Sequence, residues 1–535
     1  LNQPHRQPSS PMRKKTAAFT AVASAATLLL LAACGGGGGG GGGIGVGVGV
    51  PPPAADNGRG SVVTDPPEKT AALTAGQFTA SLQASDQGKA LLQVAGTPKC
   101  GMDLRYLEYR TIGAKNEATN ATAAIMVPTG SDVACSGQRP VVLYAHGTTA
   151  AKAYNLAKWT DSTQAAAGEG LMVAAMFAAQ GYIVVAPNYA GYDKSTLPYH
   201  PYLDGDQQGK DMVDALTAAR KTFSGIGAND AGSLFITGYS QGGYVAMAAH
   251  REMQANGKPV TASAPLSAPS AISLLSDYTY LGWPALGSTL FVPLLSTSWQ
   301  QQFGNVYGST SDVYEAQYAS GIDTLLPSAS PGTLFSSGKL PQLALFPADA
   351  KPGPVSPELS IFYGPNNLIK QSFLTQAAGD IQGNPCPGNA LPATAASLST
   401  TSPLDCKPST GFRKAAIAND LRNWVPTRPM LMCGGANDPT VNFASTRATS
   451  GYFRAKGMPS SLLSVVDLED SAAIDAYATA RAGFAQAKAL LAQNTSGSAS
   501  DKAQAVTLAY HGTLAPPFCL ASARGFFQGV LAAGG

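Results

Sequence analysis

Charge is scarce in this chain. Of 535 residues, 13% are Asp, Glu, Lys or Arg, well below the usual quarter, and the formal net charge is +3. No basic stripe is present, which excludes the electrostatic footprint of a nucleic-acid binder. Histidine is rarer still, with five in all: His5, His146, His200, His250 and His511. There is no Cys-x-x-Cys pair and no clustering of Cys with His, so no zinc site is expected. No internal repeat is visible, and nothing asks for a metal or an organic cofactor. What replaces charge is a wealth of Ala, Gly, Ser and Thr beside 44% hydrophobic residues, a balance that suits an exported protein.

The N-terminal region agrees. Met12-Arg13-Lys14-Lys15 is a basic stretch, and Thr16 to Ala33 is apolar, ending Leu30-Leu31-Ala32-Ala33-Cys34. Charge, length and terminal small residues match a secretion signal. A membrane-spanning helix is the rival, but the run is at the short limit and nine glycines follow Cys34. Leu-Ala-Ala-Cys resembles the lipobox of bacterial lipoproteins, which implies that Cys34 becomes the lipidated first residue of the mature protein. Gly35 after it implies delivery to the outer membrane or cell surface. Residues 1–11 precede the start expected at Met12. The glycine run, Ile44-Gly-Val-Gly-Val-Gly-Val50 and Pro51 to Pro53 cannot bury a core and read as a tether.

Removing Cys34 leaves Cys100, Cys135, Cys386, Cys406, Cys433 and Cys519. An even number in an exported chain predicts disulfides. Fifteen pairings are open to six cysteines. The set expected here joins Cys100 to Cys135, Cys386 to Cys406, and Cys433 to Cys519.

Further along, Leu104–Arg110 and Ala121–Pro128 read as paired strands around a turn at Gly113–Asn120. Pro140–Ala145 and Tyr182–Ala186 are buried-type strands with a helical run between them through Ala174-Ala175-Met176. Gln207–Lys221 has helical spacing at Met212, Leu216 and Ala219. Val260–Ala264, Met430–Cys433 and Leu463–Val466 are further strands. This alternation predicts an α/β fold with a mostly parallel sheet covered on both faces. From Pro269 to Asn419 the alternation fails. An inserted, mainly helical cap is expected there, because so long a structureless loop does not fit a compact domain. A helix over Ala472–Ala492 is expected to present Ile474, Tyr477, Phe484 and Leu491 on its packing face.

The most informative stretch is Leu234 to Gly242, an apolar strand driving into Gly238-Tyr239-Ser240-Gln241-Gly242, with a helix expected from Gly243 to about Arg251. That is G-x-S-x-G in its strand-turn-helix setting. Glycines let the backbone pass close to its neighbours while a strained turn presents the serine. Ser240 is therefore the candidate nucleophile. A serine hydroxyl needs a base oriented by a third group, and on this fold the order is Ser, then acid, then His. Only His250 and His511 follow Ser240. His250 lies along the nucleophile helix and reads as a helix-surface residue. His511 ends the apolar run Val506–Tyr510, as a base at a strand-end loop would. Asp438, in Gly434-Gly-Ala-Asn-Asp-Pro after the Met430 strand, is the expected acid; Asp467 and Asp470 are reserves. The oxyanion needs backbone donors, each worth roughly 3–4 kcal/mol. The N–H groups of Gln241 and Thr148 are the candidates, with His146 shaping the Thr148 loop and moving no proton.

The ordered set Ala145-His-Gly-Thr-Thr149, Gly181–Gly191, His200-Pro-Tyr-Leu203, Asp214–Arg220, Gly-Tyr-Ser-Gln-Gly and Gly-Ala-Asn-Asp-Pro resembles the secretory lipase family of α/β-hydrolases across roughly residues 90–535. The resemblance implies carboxylic-ester hydrolysis, often of acylglycerols, beneath a cap inserted between nucleophile and acid. The expected division is 1–33 leader and signal, 34–75 lipidated Cys34 and tether, 76–268 first part of the core, 269–419 cap, and 420–535 second part of the core. The extra segment between the Leu463 strand and His511 departs from the family and leaves open which strand is last in the sheet. Short-chain esterase, cutinase-like polyester hydrolase, serine peptidase and a non-catalytic surface-binding lipoprotein are the other readings. An ester or lipid substrate and a membrane reached through Cys34 are the expected partners.

Overall fold

A half-exposed edge strand, β1 (Glu68–Leu73), pairs antiparallel with β2 (Gly101–Ile112). β2 in turn pairs along its whole length with β3 (Ala118–Thr129). The turn between them needs a left-handed residue, which Asn116 supplies at φ 60°. The sheet continues with β4 (Arg139–Ala145), β5 (Ile183–Pro187), β6 (Asp230–Tyr239), β7 (Ala262–Leu266), β8 (Met430–Gly434) and β9 (Leu463–Asp467). Its order is β1-β2-β3-β5-β4-β6-β7-β8-β9. β3 meets β5 antiparallel, and from β5 to β9 every pairing is parallel. The computed structural model describes residues 58–350, 357–389 and 404–534, so the expected signal, Cys34 and the glycine tether lie outside the described residues.

Parallel strands are covered on both faces and so carry continuous apolar runs. Val141 to Ala145 of β4 and Leu234 to Ile236 of β6 are all buried. Helices α1 (Ala75–Gln83) and α2 (Asp86–Ala95) precede β2, and α3 (Ala167–Met176) precedes β5. α4 (Gly205–Thr222) and α5 (Gln241–Ala255) pack against each other over one face. The last helix, Ala515–Ala532, lies on the other face with α2 and α3. There Phe235 stacks on Phe527 at 4.4 Å between ring centroids. Each such ring, fully buried, contributes about 1.5–3 kcal/mol.

Between β7 and β8 the described residues add no strand to the sheet. They form α6 (Ile272–Tyr280), α7 (Ser288–Phe303), the helices Gln371–Gly383 and Gly411–Ala418, and shorter turns. Tyr280, Phe346, Phe373, Phe412 and Trp299 make an aromatic core inside this segment. Its two buried arginines are both paired: Arg413 grips Asp277 through two bonds of 2.9 and 3.1 Å, and Arg422 binds Asp420 at 2.8 Å. Backbone bonds fasten it to the loops after β4 and β8: Ser328 N to Ala150 O, 2.7 Å, and Leu286 N to Pro439 O, 2.9 Å. The three expected disulfides are formed, Cys100–Cys135, Cys386–Cys406 and Cys433–Cys519.

Three expectations fail. The tether does not run to residue 75, since β1 already occupies Glu68–Leu73; its polar, unalternating sequence hid an edge strand. The helix expected from Ala472 begins at Ala478. Asp470 and Asp475 instead accept backbone N–H groups two residues ahead, making turns that leave Ile474 fully exposed. Finally, Val506–Tyr510 is no strand. Ser498 and Asp501 form a capping box that starts the helix Ala499–Ala509, and the sheet ends at β9.

Candidate active site

The parallel strands bring their C-terminal ends, and the loops leaving them, to one edge. That is where open α/β sheets hold ligands. β6 ends at Tyr239 and α5 begins at Gln241, so Ser240 alone makes the turn, at φ 62° and ψ −124°. The helix thus starts two residues earlier than expected, which leaves the Gln241 N–H as a first-turn donor without an intrahelical acceptor. The glycines are dictated by contact. A Cβ on Gly238 would stand 2.4 Å from both Ala145 O and Gly242 O, and one on Gly242 would stand 2.0 Å from Ala145 O. Real Cβ atoms do not approach so closely, and this is why the strained turn fits beside β4.

Ser240, Asp438 and His511 meet at this edge. His511 Nε2 lies 2.8 Å from Ser240 Oγ, and His511 Nδ1 lies 2.7 Å from Asp438 Oδ2. Asp438 Oδ1 accepts from the N–H groups of Thr440 and Val441 at 2.9 and 3.0 Å, so its loop is closed on itself, and Oδ2, which also accepts from Ser267 Oγ at 3.5 Å, is turned to the imidazole. The reserves are engaged elsewhere: Asp467 accepts from Ala436 N and Glu469 N, and Asp470 from Ala472 N.

His511 arrives differently from the expectation. It sits in a single π-helical turn, Tyr510–Leu514, between the helices Ala499–Ala509 and Ala515–Ala532. Such turns interrupt helices at functional positions. Tyr510 fixes this one by donating to Glu469 Oε1 at 2.8 Å, and Lys488 binds the same carboxylate at 2.7 and 2.5 Å. Gly435 makes room, since a Cβ there would stand 2.0 Å from the Tyr510 hydroxyl. Nothing in the sequence singles out Glu469 or Lys488 for this task.

The two oxyanion candidates flank the elbow. Thr148 is half-buried, and its N–H donates to no protein group among the described residues; its Oγ1 lies 2.9 Å from the Tyr202 hydroxyl. Gln241 is buried, and its side-chain amide lies 2.7 Å from His200 Nε2. Burial pushes His200 down to about 3, so the ring is neutral. With Nδ1 donating to Ala190 O at 2.9 Å, Nε2 accepts from the Gln241 amide. In the sequence His200 is part of the motif His200-Pro-Tyr-Leu203 and carries no role of its own.

His146 is buried, and desolvation lowers its pKa below the ordinary value, against the opposing pull of Glu169; its Nδ1 lies 2.7 Å from Gly147 O and its Nε2 3.2 Å from Asn188 O. Among the described residues it makes no hydrogen bond to Ser240 or Asp438. His250 departs from expectation: it is buried, not on the helix surface. Its Nδ1 lies 2.8 Å from Ser263 Oγ and its ring meets Trp424 edge-on, because α5 turns that side toward the sheet. Desolvation lowers it to about 3.

Among solved structures, the chain is similar to the rice cell wall degrading esterase LipA from Xanthomonas oryzae. The two share 23% identity over 88% of this chain and 99% of that one, with a TM-score of 0.63. The chain has the α/β-hydrolase fold. A Legionella pneumophila protein described provisionally as a hydrolase shares this α/β-hydrolase architecture at 16% identity, covering 88% of this chain and 98% of that one, with a TM-score of 0.59. The prolyl oligopeptidase family model matches residues 172–282, which run from α3 through the elbow to just past α6. No curated protein matches the chain.

Proposed function

We propose that this chain is an exported serine ester hydrolase in which Ser240, His511 and Asp438 form the catalytic triad. One observation carries the reading: the continuous path from Ser240 Oγ to His511 Nε2, 2.8 Å, and from His511 Nδ1 to Asp438 Oδ2, 2.7 Å. Asp438 accepts the Nδ1–H and so leaves the Nε2 lone pair facing the serine. As Ser240 Oγ bonds to the ester carbonyl carbon, its proton passes to His511 Nε2, and Asp438 stabilises the resulting imidazolium. The carbonyl oxygen becomes an oxyanion received by the N–H groups of Gln241 and Thr148. Collapse breaks the bond to the alcohol, which leaves with the Nε2 proton. Water, deprotonated by His511, then releases the acid.

The ester class draws support from the X. oryzae protein, described as an esterase. Acylglycerols are the substrate we favour, from the resemblance to secretory lipases, with residues 269–419 acting as the cap over the acyl chain. Short-chain and polymeric esters are the competing substrates. The prolyl oligopeptidase match favours a second reading, a peptidase using the same triad. Export is supported by the three disulfides, which persist in oxidising compartments. We further propose anchoring through lipidated Cys34.

The test is hydrolysis of p-nitrophenyl esters from acetyl to palmitoyl beside peptide p-nitroanilides, with wild type and Ser240→Ala. Activity on long-chain esters that vanishes in the variant is the expected result. Faster cleavage of the anilides would move the assignment to a peptidase. Inactivity on every substrate, with no labelling by a serine-directed fluorophosphonate, would leave a non-catalytic surface protein.

A further inference from the structure

Glu169 takes no part in the chemistry above, yet it is built into the loop that carries Thr148. It lies in the first turn of α3, where a glutamate ordinarily faces solvent and favours the helix dipole. Here both oxygens turn inward. Oε1 accepts from the Tyr144 hydroxyl at 2.8 Å and from the Gly147 N–H at 3.0 Å, and Oε2 accepts from the Tyr154 hydroxyl at 2.7 Å. Tyr144 is the last residue but one of β4, so a single carboxylate ties the strand end to the loop beyond it.

The other side of Gly147 is held as well. Its carbonyl lies 2.7 Å from His146 Nδ1. The His146 ring lies beside Tyr189 and Tyr154, at 4.0 and 4.4 Å between centroids. A trans peptide is planar, with its C=O and N–H pointing in opposite directions. Holding the Gly147 carbonyl therefore sets the direction of the Thr148 N–H, provided the preceding peptide does not swing. Gly147 has no side chain to resist such a swing, and its N–H bond to Glu169 does so instead.

We propose that Glu169 is a positioning residue for ester hydrolysis: by holding the Gly147 N–H it aims the Thr148 N–H at the developing oxyanion. The role rests on the hydrolase reading. It predicts an effect on the transition state and little on ground-state binding, because donors are useful only where the charge develops.

The experiment compares the full chain with its Glu169→Ala and Glu169→Gln forms. It reads kcat and KM on a p-nitrophenyl ester, inhibition by an alkyl boronic acid, and thermal unfolding. The boronic acid forms a tetrahedral adduct with the serine and so reports on the same donor. Glu169→Ala is expected to lower kcat about 10- to 100-fold and to weaken boronic acid inhibition by a similar factor, with KM within about threefold. Glu169→Gln keeps an acceptor for Gly147 and is expected to recover most of the loss. If the alanine form does not fold, Glu169→Met, which fills the space without an acceptor, is judged by the same criteria. A folded acceptor-less variant with wild-type kcat overturns the proposal and leaves the hydrolase standing. So does a loss of kcat without a matching loss of boronic acid inhibition. An inactive wild type overturns both.

Discussion

At the scale of the residue, the site is governed by contact distances that exclude alternatives. The elbow closes because Gly238 and Gly242 let their backbones lie against Ala145 O, where a methyl group would stand at 2.4 and 2.0 Å. Gly242→Ala is accordingly expected to destabilise the chain by about 1–3 kcal/mol, the range for overpacking, and to abolish ester hydrolysis. Urea unfolding with an activity assay checks this, and unchanged values in both would show that the β4 loop yields. The same reasoning explains His200. A neutral imidazole that donates to Ala190 O can accept from the Gln241 amide, so Gln241, whose N–H we propose as an oxyanion donor, is held from its side chain as well. His200→Phe removes that acceptor and leaves the Gln241 amide buried without a partner, a loss of about 1–3 kcal/mol. Its kcat should fall more than its KM rises.

At the scale of the element, the position of His511 depends on a helical hairpin and not on the sheet. The helices Ala478–Asn494 and Ala499–Ala509 pack on each other, and the second buries no residue. Elements with so little buried surface open at low free energy. The π turn is held by its two buried residues, Tyr510 and Leu514, and by the bonds from Tyr510 to Glu469 and from Lys488 to Glu469. Tyr510→Phe should lower stability by about 1 kcal/mol, the worth of one ordinary hydrogen bond, while kcat falls and KM holds. Amide hydrogen exchange across 499–514 should quicken in the same variant. Unchanged exchange with unchanged kcat would show that the helix Ala515–Ala532 alone orients His511.

At the scale of the whole molecule, buried acids set the pH range of stability. Burial raises Asp204 to about 7 and Asp211 to about 6. Asp204 caps α4 and accepts from Gln302 of α7, so it joins the sheet domain to the segment between β7 and β8. A folded pKa above the unfolded one means that the native state holds the proton more tightly. The contribution is complete below about pH 4 and is lost as pH rises through the folded values. Asp380 works in the opposite sense. Burial alone would raise it, but four hydrogen bonds from Ser409 and Thr410 outweigh burial and hold it low, so its contribution is lost in acid. Asp204→Asn should thus gain in Tm relative to wild type on going from about pH 4 to about pH 8. A pH-independent difference would contradict a buried, raised carboxyl. The disulfide Cys433–Cys519 spans 86 residues and ties β8, just before the Asp438 loop, to the helix after His511. Replacing both cysteines with alanine should lower stability by about 2–5 kcal/mol, read from denaturant unfolding.

The parallel sheet, the elbow and the three residues that meet at it are all legible in the sequence. Buried strands must be apolar, a turn that tight must be flanked by glycine, and so few histidines follow Ser240 that His511 had little competition. These are constraints on single positions or short windows, and they are written locally. What holds those residues in place became visible only in the folded chain. Glu169, Glu469, Lys488 and the Gln241 side chain act on partners far along the chain, through hydrogen bonds that leave no mark on local composition. Likewise, the run before His511 has a pattern that suits strand or helix equally. With a capping box at Ser498 and β9 left as the last strand among the described residues, it forms a helix ending in a π turn. A short apolar run does not choose its own secondary structure; the neighbour it pairs with, or lacks, chooses for it.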